Sequence, residues 1–293
     1  MEGFVQLALC ILSTCILLIG LRYVQRYPVD LPICIGINYL AAALVGWLDV
    51  PLAFHHVAAH PTVAILASVH GASFFILFSI MGWMTHRVGL GYMTIVAKMS
   101  LVIPVLFSWL FYGDAMAWLR FVGVGLALAA IWMVHFGEQG RERPMDPQEH
   151  PWRVPALSAI LFLGSGASDA LFRVIQQEYS GLVDHRAYVI VLFAAAAAAS
   201  LPVFVYKGIH GTLRLHAPTV LGGLLMGIPN YYSIVFLAGA LRYFDGTVFY
   251  PVNNTAILLV MALAGIVFFG ERLNGWKVAG LLVATGAVVM LNG

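Results

Sequence analysis

Ten times along this chain a stretch of about twenty residues runs almost without charge and then breaks at a short turn. The stretches are 3–21, 31–49, 62–83, 90–111, 117–136, 154–177, 187–206, 218–239, 246–269 and 275–292. Roughly twenty apolar residues at about 1.5 Å each cross the hydrocarbon core of a bilayer as a helix. Turn chemistry separates them: "RYPVD" after the first, "RVGLG" after the third, "FYGDA" after the fourth and "FGERLNG" after the ninth. Composition agrees, with 61% hydrophobic and 10% charged residues where a soluble domain carries about 25% charged. The fold class expected is an all-α integral membrane protein of ten spans. The N-terminus "MEGFVQLALCILST" has no basic leader and no small-residue cleavage site, so it reads as the first span. Cys10, Cys15 and Cys34 lie in apolar stretches without CxxC spacing and read as small core residues. The one long polar segment, residues 137–153, carries three arginines, four acids and three prolines at the chain's midpoint and reads as an aqueous linker.

The two sides of that linker match. Under a shift of 157 residues, "PTV" at 61–63 falls on "PTV" at 218–220, Gly82 on Gly239, Gly89 on Gly246, and "FYGD" at 111–114 on "FFGE" at 268–271. Arg120 falls on Lys277 and Gly123 on Gly280. A looser match at 151 puts Arg22 on Arg173 and Gln25 on Gln176. Shared hydrophobic periodicity would not align turn glycines, an acid and a cation. The expected organisation is therefore a first five-helix repeat over 1–136, the linker, and a second repeat over 154–293. Five is odd, so the second repeat enters the membrane from the opposite side, the inverted repetition of alternating-access transporters.

Two stretches carry a resemblance: "AKMSLVIPVLFSWLFYGD" and "YPVNNTAILLVMALAGIVFFGERLNGWKVAGLLVATGAVVM". With five plus five spans, and spans four and nine each ending in Gly-Asp or Gly-Glu, the chain resembles bacterial members of the EamA-like branch of the drug/metabolite transporter superfamily. The resemblance covers nearly the whole chain, but its motifs are diffuse and speak to superfamily rather than substrate. It implies a helical bundle in a bacterial inner membrane. Its central cavity would be lined mainly by spans 1, 3, 4, 6, 8 and 9, with 5 and 10 packed outside.

Polar groups within spans nominate the site, because ionisable groups in hydrocarbon cost about 2.5–3.5 kcal/mol each and persist where they face protein or water. Lys98 is the ninth residue of span four. It reads as an ammonium holding an anionic substrate group or a gating charge; the alternative is a lysine that snorkels to headgroups or pairs with a structural acid. Pro104, six residues on, is a candidate hinge. The counterpart of Lys98 is Thr255, in "FYPVNNTA", with Asn253 and Asn254 beside it and a second candidate hinge at Pro251. Adjacent asparagines point about 100° apart on a helix, so one faces inward and Asn254 is chosen; interhelical hydrogen bonding is the alternative. In span eight, "GIPNYY" offers Pro229 as a hinge and Asn230, Tyr231 and Tyr232 as lining; an interfacial aromatic belt is the alternative. In span three His70 is a candidate proton carrier or a hydrogen-bonded core residue, and Ser73 falls on Asn230 under the repeat. Span six carries Asp169 and Arg173 four residues apart, an internal pair or, for Asp169, a counter-charge to Lys98. Gly164, Ser165 and Gly166, like Gly223 and Gly227, suit close helix approach.

A net charge of +2 argues against nucleic acid as a partner. No cofactor is implied, and the cluster His55, His56 and His60 lacks the Cys or acid partners of a metal site. The partners expected are the lipid bilayer and a small-molecule substrate, with proton coupling through His70 or Asp169 and a monomer or homodimer as the assembly. Cations concentrate in the loops after odd-numbered spans, from Arg22 and Arg26 to Lys277, which puts those loops in the cytoplasm and both termini outside. The family resemblance implies the reverse. The function expected is secondary transport of a small polar metabolite, anionic or zwitterionic, by alternating access. A membrane-embedded enzyme or lipid-headgroup flippase is the second reading; no clustered nucleophile, acid–base pair or metal set favours the enzyme. A structural membrane protein is the third.

Overall fold

The structure is a computed structural model. It describes residues 2–51, 59–112, 152–179, 181–244, 246–270 and 274–292, with Val57 and scattered positions between 118 and 133. Among the described residues all regular structure is helical. The helices are α1 (Glu2–Val24), α2 (Leu31–Asp49), α3 (Pro61–Arg87), α4 (Leu90–Met99), α5 (Val102–Tyr112), α6 (Arg153–Tyr179), α7 (His185–Ile209), α8 (Ala217–Ala240), α9 (Gly246–Phe269) and α10 (Gly275–Asn292). Eight stretches are long and apolar enough to cross a membrane, counting α4 and α5 as the single stretch Leu90–Tyr112. The expected fifth span, 117–136, falls outside the described residues save for scattered positions, and so does the linker apart from Trp152 and Arg153.

Local chemistry sets the helix starts. α2 and α8 each open with a proline in the first turn, where its missing N–H costs nothing. α7 opens behind Asp184, whose carboxylate accepts the Arg186 N–H at 2.9 Å. α4 opens behind Gly89 at φ 99°, a conformation that only glycine adopts without steric cost.

Large apolar side chains lie on the outside as well as in the core. Ile209 is 77% exposed, and Phe4, Leu48, Leu110, Phe111 and Leu225 are exposed on other helices. Asn38 is 0% exposed, and His70, Thr94, Asn230, Asn253 and Asn254 are buried with it. Apolar surface outside and amides inside fit a solvent that cannot hydrogen-bond. The chain is thus a helical protein with the makings of a multi-pass membrane protein. Cys10, Cys15 and Cys34 are buried.

The helices gather into two compact units, each discontinuous in sequence: Met1–Gly82 with Leu171–Tyr243, and Trp83–Ala170 with Phe244–Gly293. In the first unit α8 lies between α1 and α2, and α2 lies on α7. α1 runs antiparallel to α8. Tyr243 donates to Glu2 at 2.8 Å, Cys10 to the Ser233 carbonyl at 3.5 Å, and Gly20 lies by Met226. α2 runs parallel to α8, with Gly223 against the Cys34 carbonyl and Gly227 against Ala41. These small residues let the backbones approach closely, as their spacing predicts. α2 and α7 are antiparallel and bridged at both ends, Lys207 to Asp30 at 2.6 Å and Arg186 to Asp49 at 3.2 Å. α3 runs parallel to α7, where a Cβ on Gly71 would collide with the Leu192 carbonyl, so only glycine fits. In the second unit α9 packs on α4 and α10. The first part of α6 is fastened to α4 by Tyr92 and Ser158, hydroxyl to hydroxyl at 2.9 Å, and to α5 by Gly166 seated on Ile103.

Candidate functional site

Span four is interrupted. α4 ends at Met99 and α5 starts at Val102. Pro104 has no N–H to return to the Ser100 carbonyl. That carbonyl instead takes the Ile103 N–H at 2.9 Å, the Leu101 N–H turns back to Lys98 at 3.4 Å, and the Ser100 hydroxyl donates to the Ala97 carbonyl at 2.6 Å. The break therefore sits at Ser100 and Leu101, ahead of the proline. It leaves Lys98 in the last turn of a half-helix, where terminal carbonyls carry partial negative charge and favour a cation. Lys98 is half-buried. Electrostatic attraction couples it to Asp169 of α6, in the same unit. One turn before Lys98 lies Thr94, buried, its hydroxyl without a hydrogen-bond partner among the described residues.

α9 packs on α4 and brings its two asparagines into the same unit. Where the spacing predicts one inward side chain, both are buried, and the Asn253 amide donates to the Asn254 carbonyl oxygen at 3.4 Å. Pairing lets two amides at about 100° to one another each lose contact with water. The helix passes through Pro251 and Thr255 without a break, and the side chains of both lie outside the described residues.

The remaining candidates belong to the first unit. Asn230 donates to Asn38 of α2 at 3.3 Å, and both are buried. The Asn38 Nδ2 is buried with no partner among the described residues. Tyr231 is fully buried and donates to Asp49 at 2.9 Å, on the same carboxylate oxygen that Arg186 reaches. α8 stays helical through Pro229. His70 is buried against Phe74 and Phe172, with Nδ1 2.7 Å from the Tyr188 hydroxyl. Ser73 donates back to the His70 carbonyl at 2.7 Å, within its own helix. Tyr188 also walls a small cavity of about 70 Å³ rimmed by His185 and Arg242, which lie 2.7 Å apart.

The candidates thus fall into two groups. Lys98, Asp169, Asn253 and Asn254 share the second unit; His70, Ser73, Asn230 and Tyr231 share the first. The second group holds neutral donors and acceptors in fixed bonds. The first places a cation, an acid and two amides in the unit that holds the helix break, residue types suited to holding and exchanging an anionic group. Four side chains in this chemistry were not singled out by sequence: Asn38, Thr94, Tyr188 and Asp49. An asparagine within the apolar run "PICIGINYL" is a signal for the first of these; Tyr188 and Asp49 are defined by partners distant in the chain, and Thr94 by its burial one turn from Lys98.

No protein-family model matches the chain. It is 22% identical over 197 residues to an uncharacterized protein of Haemophilus influenzae (strain ATCC 51907 / DSM 11121 / KW20 / Rd), a match covering 66% of this chain and 63% of that protein's length. A crystal structure described only as that of a protein matches 98% of this chain and 95% of its own, with TM-score 0.61 and 13% identity. The fold is therefore one already known.

Proposed function

We propose that the chain is a secondary transporter that moves a small polar metabolite, anionic or zwitterionic, across a bacterial inner membrane by alternating access. In this reading it has ten spans, built as two inverted five-helix repeats of the EamA-like drug/metabolite transporter type. The observation that carries it is the break in span four at Ser100 and Leu101, within one turn of Lys98. Discontinuous helices build midplane sites in transporters because a half-helix end supplies charge and unwound backbone at membrane depth. Lys98 binds the anionic group of the substrate, Asp169 neutralises the ammonium when the substrate leaves, and Asn254 orients the substrate's neutral part.

Helix directions support the inverted repeat. α3 and α6 run antiparallel, since His70 meets Phe172 while Val63 and Tyr179 share a cavity further along. Successive crossings alternate, so α1 is parallel to α3, and α6 runs against α1. For α6 to return this way the chain must cross an odd number of times between Tyr112 and Arg153, which supports a fifth span over 117–136. Helix pairings support it too: α1 on α8 has its counterpart in α6 on α3, α2 on α8 in α7 on α3, and α2 on α7 maps to itself. Gly227 rests on Ala41 and Gly71 on Leu192, one residue from the register that the sequence shifts set.

Uptake by proteoliposomes against a panel of amino acids, nucleosides, sugar phosphates and organic cations, with and without a pH gradient, tests the reading. Saturable uptake of an anionic or zwitterionic compound is expected. Lipid-headgroup translocation with no soluble compound moved would support the flippase reading instead.

A further inference from the structure

We infer that the groove between α1 and α8 is a binding site for one anionic phospholipid of the surrounding bilayer. The groove has a volume of about 330 Å³ and lies wholly within the first unit. Gly20 and Gly222 let Met226 and Val24 pack down onto the opposite helix, and these buried side chains line the groove between exposed residues such as Leu221 and Leu225. Along α8 it runs from Ala217 to Met226. Nine steps at about 1.5 Å make roughly 14 Å, close to half of a hydrocarbon core about 30 Å thick. The depth is that of one leaflet, and so of one acyl chain.

The open end is not neutral. Tyr23 and Tyr27 stand there with hydroxyls 3.4 Å apart and rings edge to face, and the Arg26 guanidinium lies over the Tyr23 ring at 5.2 Å. Arg214 precedes the first turn of α8 by three residues, and Arg22 and Lys207 lie at the same end of the unit. Among the described residues Asp30 is the acid at this end, and Lys207 holds it. Cations at a bilayer surface attract anionic headgroups by about 1 kcal/mol each, and tyrosines sit at headgroup depth. An acyl-length apolar channel capped by arginine and tyrosine hydroxyls selects a negatively charged headgroup over a zwitterionic one of equal chain length. The inference stands apart from transport and needs no substrate.

The test is native mass spectrometry of the full-length protein extracted from nanodiscs containing equal amounts of phosphatidylglycerol and phosphatidylcholine with identical acyl chains. The wild type is expected to retain one phosphatidylglycerol in preference to phosphatidylcholine. Arg26→Gln lowers that preference about fivefold, while Arg26→Lys keeps most of it. Leu225→Trp, directed into the groove, removes retention of either lipid, with helicity by circular dichroism unchanged. Equal retention of the two lipids by the wild type overturns the site. So does retention that neither Arg26→Gln nor Leu225→Trp alters.

Discussion

Lys98 holds the account together at the scale of single residues. Its ammonium lies half-buried in the last turn of α4, in the unit that also holds Asp169. Lys98→Met keeps the volume and removes the charge, so the protein is expected to express and fold while uptake falls by about ten- to a hundredfold, the value of a hydrogen bond to a charged group. Wild-type uptake by that variant defeats the assignment. The Asn38–Asn230 pair makes a different forecast. Amide bonds between membrane helices contribute about 0.6 kcal/mol on average and up to about 1.7. Asn230→Leu is expected to lower unfolding free energy in detergent by that amount; no change would mean the bond is not made. Much of the residue chemistry was legible in sequence, because a lysine or an asparagine in an apolar run stands out. Partners were not. Tyr231 is an inward polar side chain by position alone, but its bond to Asp49 joins residues 182 apart in sequence, and hydropathy carries no information on such pairs.

Helix boundaries show the same division between local and distant physics. Spans 31–49, 246–269 and 275–292 coincide with α2, α9 and α10, because prolines or turn glycines bound them. α1 runs on to Val24 where the apolar pattern stops at 21, taking Arg22 and Tyr23 into its last turn, where a cation suits the terminal carbonyls. The interruption of span four was not legible as a break. The run from Met99 to Trp109 stays apolar, and proline alone predicts a kink at Pro104 rather than two half-helices parted at its missing hydrogen-bond partner, Ser100. This element makes its own prediction. Pro104→Ala returns a donor to the Ser100 carbonyl, so that α4 and α5 can join; in the first turn of α5 the proline itself costs little. The variant is expected to keep or slightly raise its melting temperature in detergent and to transport more slowly, as span four becomes continuous. Faster or unchanged transport would detach the break from function.

For the whole molecule, the two compact units mix helices from both halves of the sequence, an interleaving that no reading of hydropathy along the chain reveals. It arises because α2, α7 and α8 find one another across the linker, through small-residue stripes and two end bridges. Orientation is a property at this scale. The bias of arginine and lysine toward loops after odd spans predicts that a reporter fused to the C-terminus reads as external; an internal reading reverses the charge argument and agrees with the family resemblance. The central claim, access to one site from both sides, is tested most directly at Thr94, one turn from Lys98. A Thr94→Cys variant, with Cys10, Cys15 and Cys34 replaced by alanine, is exposed to a membrane-impermeant maleimide from each face of oriented vesicles. Alternating access predicts labelling from both faces, slowed from both by the transported substrate. Labelling from one face alone, or from neither while the protein still transports, would contradict it.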